Sequence, residues 1–171
     1  MEKNNVNITW KGNPMPLYGN SVEVGQKAPD FSAFGAALNK VSLSDYAGKV
    51  VVLSIFPSLD TGVCATQNRT FNKLASDLSE DIVIVGLSKD LPFAQKRFCV
   101  AEGIDRVETL SDYRNLGFVE NYGFYMDAIG LLARGIVVVD KAGVIQHVEY
   151  VAEGTTEPDY NAALDVAKGL I

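Results

Sequence analysis

Three stretches of this chain are apolar at nearly every position and rich in Val and Ile: Val50–Phe56, Asp81–Leu87 and Gly135–Val139. A strand covered on both faces has no polar side to show, so each run predicts a buried strand. Val144–Val151 alternates in part and follows the turn residues Asp140-Lys141-Ala142-Gly143, which predicts an antiparallel return from the third strand. Between these runs the period changes. Phe71, Leu74, Ala75 and Leu78 recur at i, i+3, i+4 and i+7, one apolar stripe of a helix. Ala94, Phe98 and Ala101 suggest a second helix, and Tyr160, Ala163, Leu164 and Ala167 a last one. There Thr156 followed by Asp159 resembles a capping arrangement, with Pro158 suited to a first helical position. Ahead of all this, Ile8–Trp10 and Ser21–Val24 flank Lys11-Gly12-Asn13-Pro14, the chemistry of a hairpin turn. Ala28–Phe31 and Val41–Leu43 add short extended pieces.

Strand, helix, strand, helix, hairpin and last helix make an α/β order around a central mixed sheet, with an N-terminal β-hairpin. Thioredoxin-like folds have this order, as do other three-layer sandwiches. The chain has 171 residues, which one core serves, and no internal repeat, low-complexity tract or linker divides it. The expected organisation is a single domain over 1–171.

Composition narrows the function. With 47% hydrophobic and 21% charged residues the chain is an ordinary globular one. Fifteen Lys+Arg against 21 Asp+Glu give a net charge of −6. No basic cluster interrupts this, so neither nucleic acid nor an anionic membrane surface is an expected partner. The apolar runs are too short to span a bilayer. Met1–Asn7 has no apolar stretch of signal-peptide type, and the expected location is the cytoplasm. In that reducing compartment the two cysteines, Cys64 and Cys99, are more readily redox-active than structural.

Cys64 stands where the first buried strand gives way to the first helix, the sheet edge where open α/β folds bind ligands. Thr61 is a natural N-cap, which places Cys64 at the third helical position. An anion there meets unpaired backbone N–H groups and the positive end of the helix dipole, so the same physics favours a thiolate. Asp60 opposes that charge unless it faces solvent. On position alone, Cys64 also reads as a small buried hydrophobe. His147 is the sole histidine and a conceivable general base for a cysteine hydrolase, although its strand makes it a half-exposed surface residue. Two Cys and one His form a poor metal set, and a Cys-x-x-Cys motif is absent.

Pro57, Thr61 and Cys64 have the form Pro-x-x-x-Thr-x-x-Cys, which resembles the active-site signature of the peroxiredoxins. Asp90-Leu91-Pro92-Phe93-Ala94-Gln95 and Arg97-Phe98-Cys99 resemble the second-cysteine segment of one branch, the bacterial thiol peroxidases. Leu110–Arg114, Gly130–Arg134, Lys27–Phe31 and the opening hairpin are similar to that branch as well, so the resemblance runs from about Val6 onward.

The resemblance implies a thioredoxin-like fold and a peroxidase that needs no metal or organic cofactor. Cys64 would attack the peroxide and become a sulfenic acid. Thr61 would hold thiolate and peroxide by hydrogen bonds, Pro57 would shield the site, and Arg134 would favour the thiolate and orient the peroxide. Cys99 would resolve the sulfenic acid as an intrachain disulfide, with thioredoxin as reductant and a homodimer as the assembly. Hydrogen peroxide and organic hydroperoxides are the implied substrates. Gly117–Ile129 is the stretch least like the family and is expected to border the pocket or a subunit contact.

Three other readings compete: a thiol-disulfide exchange protein without peroxidase activity, a hydrolase using His147, and a binding module with an incidental disulfide. By its spacing, Cys99 lies one residue, about 100°, around the helix from the Ala94–Phe98–Ala101 stripe, at the edge of the buried face. A static bridge to Cys64 would give roughly 3–4 kcal/mol in the chain-entropy model. A disulfide requires Cα atoms within about 7 Å, so the expectation is that one or both helix ends unwind during turnover.

Overall fold

Val50, Val52, Ile84, Ile136 and Val138 point to one face of the central sheet, while Val51, Leu53, Ile55, Val85, Leu87, Val137 and Val139 point to the other. Both faces are buried, which is why these strands are apolar at every position. The computed structural model describes residues 1–171. In chain order the strands are β1 Lys3–Trp10, β2 Asn13–Tyr18, β3 Ser32–Phe34, β4 Lys40–Ser42 and β5 Val50–Ile55. Helix α1 Gly62–Leu74, β6 Ile82–Ser88, α2 Pro92–Glu102, β7 Val107–Leu116 and α3 Phe118–Tyr122 follow. The chain ends with β8 Tyr125–Met126, β9 Leu131–Leu132, β10 Gly135–Val139, β11 Ile145–Tyr150 and α4 Tyr160–Lys168.

Seven strands form the central sheet in the order β11-β10-β5-β6-β7-β3-β4. Its middle, β5-β6-β7, is parallel, and β10, β11, β3 and β4 join antiparallel, so the sheet is mixed. On one face Phe71 and Ala75 of the α1 segment pack with Ala163, Leu164 and Ala167 of α4, and Phe98 and Cys99 of α2 lie against the same cluster. On the other face lie α3 and a four-stranded sheet of order β1-β2-β8-β9. Helices, sheet, and the second sheet with α3 make the three layers of an α/β sandwich. No helix is long and apolar enough to cross a membrane.

The predicted buried strands and the last hairpin are present, with four differences. The N-terminal hairpin pairs β1 with β2 through Lys11 and Gly12, whose φ of 52° and 80° fit a two-residue turn. Ser21–Val24 forms no strand. The return strand is instead Asn13–Tyr18, which takes in Asn13 and Pro14 of the expected turn; Pro14 and Pro16 pair with Thr9 and Asn7, alternate positions whose amide side faces away from β1. The second difference is α2, whose buried residues are Pro92 and Gln95; Ala94 and Phe98 are half-buried and Ala101 is exposed. A buried glutamine with two acceptors turns the face that an apolar count would choose. Third, the N-cap of α4 is Asp159, whose side chain accepts from Ala162 N, so Pro158 precedes the cap. Fourth, in Gly117–Ile129 the side chains of Phe118, Tyr122 and Phe124 stack in the core, at ring separations of 4.7 and 6.1 Å, while Ile129 is exposed.

Candidate active site

The C-terminal end of β5 and the start of β10 are neighbours, with Gly135 opposite Ile55. Whatever precedes Gly135 is therefore delivered to the point where the chain leaves β5 for α1. Close approach there depends on Gly135: a Cβ at that position would stand 2.1 Å from Glu149 O and 2.4 Å from the Phe124 ring.

After β5 the chain passes through buried Phe56 and Pro57 into the turn Ser58-Leu59-Asp60-Thr61. Thr61 is the N-cap of α1, extended at φ −97° and ψ 145°. Its Oγ1 donates to Ser58 O at 3.0 Å and accepts from Cys64 N at 3.4 Å. Asp60 is exposed, so its charge faces water. Cys64 occupies the third helical position, fully buried, in an apolar cluster with Phe56 and Leu59 against which Phe98 packs.

Arg134 is 1% exposed although it begins no helix and forms no ion pair with a carboxylate. Its Nη1 donates to Cys64 Sγ at 3.2 Å and to Gln67 Oε1 at 2.9 Å, and its Nε donates to Gly154 O at 3.1 Å. Gln67 is itself fixed, donating from Nε2 to Ser54 Oγ at 2.8 Å and Ile55 O at 3.3 Å. Asn68 donates to Cys64 O at 2.9 Å, securing the first turn of the helix. Thr61, Cys64 and Arg134 are thus joined by hydrogen bonds, and Pro57 is buried in the segment that leads into them.

Gly154 is held in turn. Its N–H donates to Thr9 O at 2.8 Å, and a Cβ on it would meet the Trp10 ring at 2.4 Å. Next to it, Glu153 accepts from Thr9 Oγ1 at 2.9 Å, Gly12 N at 2.7 Å and Thr155 N at 2.7 Å. The Thr155 hydroxyl donates to it as well and, ahead of the Gly12 and Thr155 amides, holds its carboxyl down at about 2. The N-terminal hairpin therefore clamps the loop that receives Arg134.

Cys99 stands apart from this group. Both cysteines are free thiols. Half-buried on α2, Cys99 has its Sγ 3.8 Å from Thr109 Oγ1 of β7 and lies on the rim of a cavity of about 460 Å³. Burial pushes its thiol above the ordinary value, and the Thr109 hydroxyl partly opposes this. His147 sits on β11 opposite Val138, three residues along β10 from Gly135, and no bond joins it to Cys64. A cavity of about 550 Å³ opens beside Val51, at the other end of β5, and none of the converging residues lines it.

Gln67, Asn68 and Gly154 do not stand out in the sequence. Gln67 and Asn68 continue the Phe71 stripe backward at helical spacing toward Cys64, and buried polar residues on an apolar stripe are the signal that could have found them.

A cysteine and a buried arginine meet at one helix start, and comparison with known proteins bears on what they do. The Redoxin family model matches residues 23–164. A thiol peroxidase of Bacillus subtilis is 47% identical over 164 residues, covering 96% of this chain and 98% of that one. One from Staphylococcus aureus is 48% identical over 163 residues, covering 95% and 98%. Among solved structures, a peroxiredoxin-like protein from Aquifex aeolicus superimposes with a TM-score of 0.91 at 36% identity, covering 96% and 97%. A thiol peroxidase from Chromobacterium violaceum, 17% identical, shares the fold with a TM-score of 0.84 over 96% of this chain and 97% of that one. The chain belongs to the redoxin family, among its thiol peroxidases.

Proposed function

We propose that Cys64 is the nucleophile with which this thiol-dependent peroxidase reduces hydroperoxides. The peroxidase activity follows from membership of the thiol peroxidases; the proposal concerns the atoms that carry it. The single observation behind it is the 3.2 Å hydrogen bond from Arg134 Nη1 to Cys64 Sγ. A buried guanidinium without a carboxylate partner sets its positive charge against this sulfur, from which charge moves during attack.

The first step is a displacement at oxygen. Cys64 thiolate attacks one peroxide oxygen, the O–O bond breaks, and the other oxygen leaves and takes a proton as water or an alcohol. Cys64 is oxidised to a sulfenic acid and the peroxide is reduced. Arg134 and Thr61 Oγ1 serve as donors along the line on which charge moves, together with backbone N–H groups of the first turn of α1. Pro57, buried and without an N–H, closes the site against water.

Cys99 is the resolving cysteine in this reading. Its sulfur displaces the sulfenic oxygen as water, giving an intrachain Cys64–Cys99 disulfide. Cys99 bonds Thr109 while Cys64 bonds Arg134, and in this reading one or both helix ends unwind to bring the two sulfurs together. A dithiol donor of the thioredoxin type then returns two electrons. Family membership supports that donor, a homodimer and a cytoplasmic site of action.

Stopped-flow mixing of reduced protein with hydrogen peroxide and with bulkier hydroperoxides, followed by mass analysis, tests the reading. The expected result is rapid gain of one oxygen, then loss of water as the bridge forms, leaving the protein two hydrogens lighter than its reduced form. A Cys64→Ser variant that still consumes peroxide would overturn it.

A further inference from the structure

Asp90 belongs to the segment around Cys99, yet its carboxylate reaches the turn in front of Cys64. Oδ1 accepts from Ser58 Oγ at 2.7 Å, and Oδ2 accepts from Leu59 N at 2.8 Å and Ser88 Oγ at 2.7 Å. Ser58 O in turn receives Thr61 N at 3.1 Å and Thr61 Oγ1 at 3.0 Å, and Thr61 Oγ1 receives Cys64 N. Leu59 packs in the same cluster as Cys64. On the other side, Ser88 Oγ accepts from Gln95 Nε2 at 3.1 Å, and Gln95 Nε2 also donates to Leu110 O at 2.9 Å. The Ser111 hydroxyl donates to the Asp90 carbonyl. One carboxylate therefore joins the turn that presents Cys64 to the start of the helix that carries Cys99.

Few residues of that helix are buried. Among its residues only Pro92 and Gln95 are buried, while Leu91 before it and Phe93 and Val100 within it are 51%, 61% and 76% exposed. Its far end is tied separately, by Asn72 to Gly103 O, Asp105 N and Arg106 N. Removing the Asp90 carboxylate would loosen the start of α2 and the Ser58–Thr61 turn together.

We infer that Asp90 is a positioning residue that favours attack on peroxide over closure of the disulfide. The inference rests on the reading of Cys64 and Cys99 given above. While the clasp is made, Thr61 and Cys64 keep the geometry that meets the peroxide. Closure rebuilds both segments, so the clasp opposes it. The two half-reactions consequently respond to its loss in opposite directions.

Acid-quenched single turnovers with hydrogen peroxide, read by mass, give the two rates separately: sulfenic acid formed, then disulfide formed with loss of water. Asp90→Ala is expected to slow the first by about tenfold and to speed the second by about threefold. Ser58→Ala, which removes one donor and leaves the carboxylate, moves both rates in the same senses by less, and it decides the matter if Asp90→Ala fails to fold. Asp90→Asn keeps an acceptor for Leu59 N and restores most of the first rate. Loosening of α2 alone would speed closure and leave the first rate unchanged, so the fall in the first rate is what marks loss of the clasp. Both rates falling together, or neither moving, in a wild type that forms the bridge would overturn this inference alone. A wild type that forms no Cys64–Cys99 bridge would overturn the underlying reading and this inference with it.

Discussion

Arg134 Nη1 donates to Cys64 Sγ at 3.2 Å across 70 residues of chain, in a site where both side chains are buried. The antiparallel pairing of β10 with β5 makes the meeting, because Gly135 lies opposite Ile55. If this donor follows the charge as it leaves sulfur, Arg134→Ala lowers the second-order rate constant for peroxide by about 10²–10³-fold. Arg134→Lys keeps the charge but cannot serve Cys64, Gln67 and Gly154 from a planar fork, so its loss is intermediate. Stopped-flow oxidation measures both, and an unchanged Arg134→Ala would remove the guanidinium from the chemistry.

Gln67 acts through Arg134. It accepts from Nη1 and donates to Ser54 Oγ and Ile55 O, with no exposure to solvent. Gln67→Ala leaves those groups unpaired, which costs about 1–3 kcal/mol of stability. A looser guanidinium also slows Cys64 oxidation by about tenfold, one hydrogen bond's worth of orientation. Denaturant unfolding and single-turnover oxidation read the two effects. A variant that loses stability and keeps the full rate would confine Gln67 to packing.

The pattern of the sequence shows β5, β6 and β10 because both of their faces are covered by apolar neighbours. It hides β7, whose buried Thr109, Ser111 and Asp112 look like loop residues until their surroundings are known. Ser111 bonds the Asp90 carbonyl and Asp112 pairs with Lys89 at 3.0 Å, so tertiary partners make that strand possible. The Thr61–Cys64 cap is local and is legible from spacing. Arg134 is not: by position it is one more arginine before a strand, and resemblance alone singled it out. Its acceptors stand 67 and 20 residues away, beyond the reach of any local pattern.

Glu153 gives the site an acid limit. The amide and hydroxyl donors of Thr9, Gly12 and Thr155 lower its carboxyl from 4.5 to about 2. A carboxyl depressed in the folded state contributes stability that is fully present above the unfolded value and is lost as pH falls from 4.5 toward 2. Glu153→Gln flattens the melting temperature over that window, whereas the wild type declines through it. Equal acid slopes for the two proteins would show that the clamp on the Gly154 loop does not depend on this charge.

Cys99 has the opposite shift. Burial raises its thiol above 9.0, with the Thr109 hydroxyl pulling the other way. The folded protein thus keeps a proton that the unfolded chain releases, so this stabilising contribution is present below 9.0 and is lost as pH rises through the folded value. In a Cys64→Ser background, alkylation of Cys99 by iodoacetamide is expected to climb with pH to a midpoint above 9.0. Thr109→Val removes the opposing hydrogen bond and moves that midpoint further alkaline. If the proposed closure unwinds the α2 end, disulfide formation in the wild type is expected to behave differently, because unwinding returns the thiol to water. Its rate follows the ordinary cysteine value, and the two pH profiles separate. Coincident profiles would mean that Cys99 attacks from its place beside Thr109, with α2 intact.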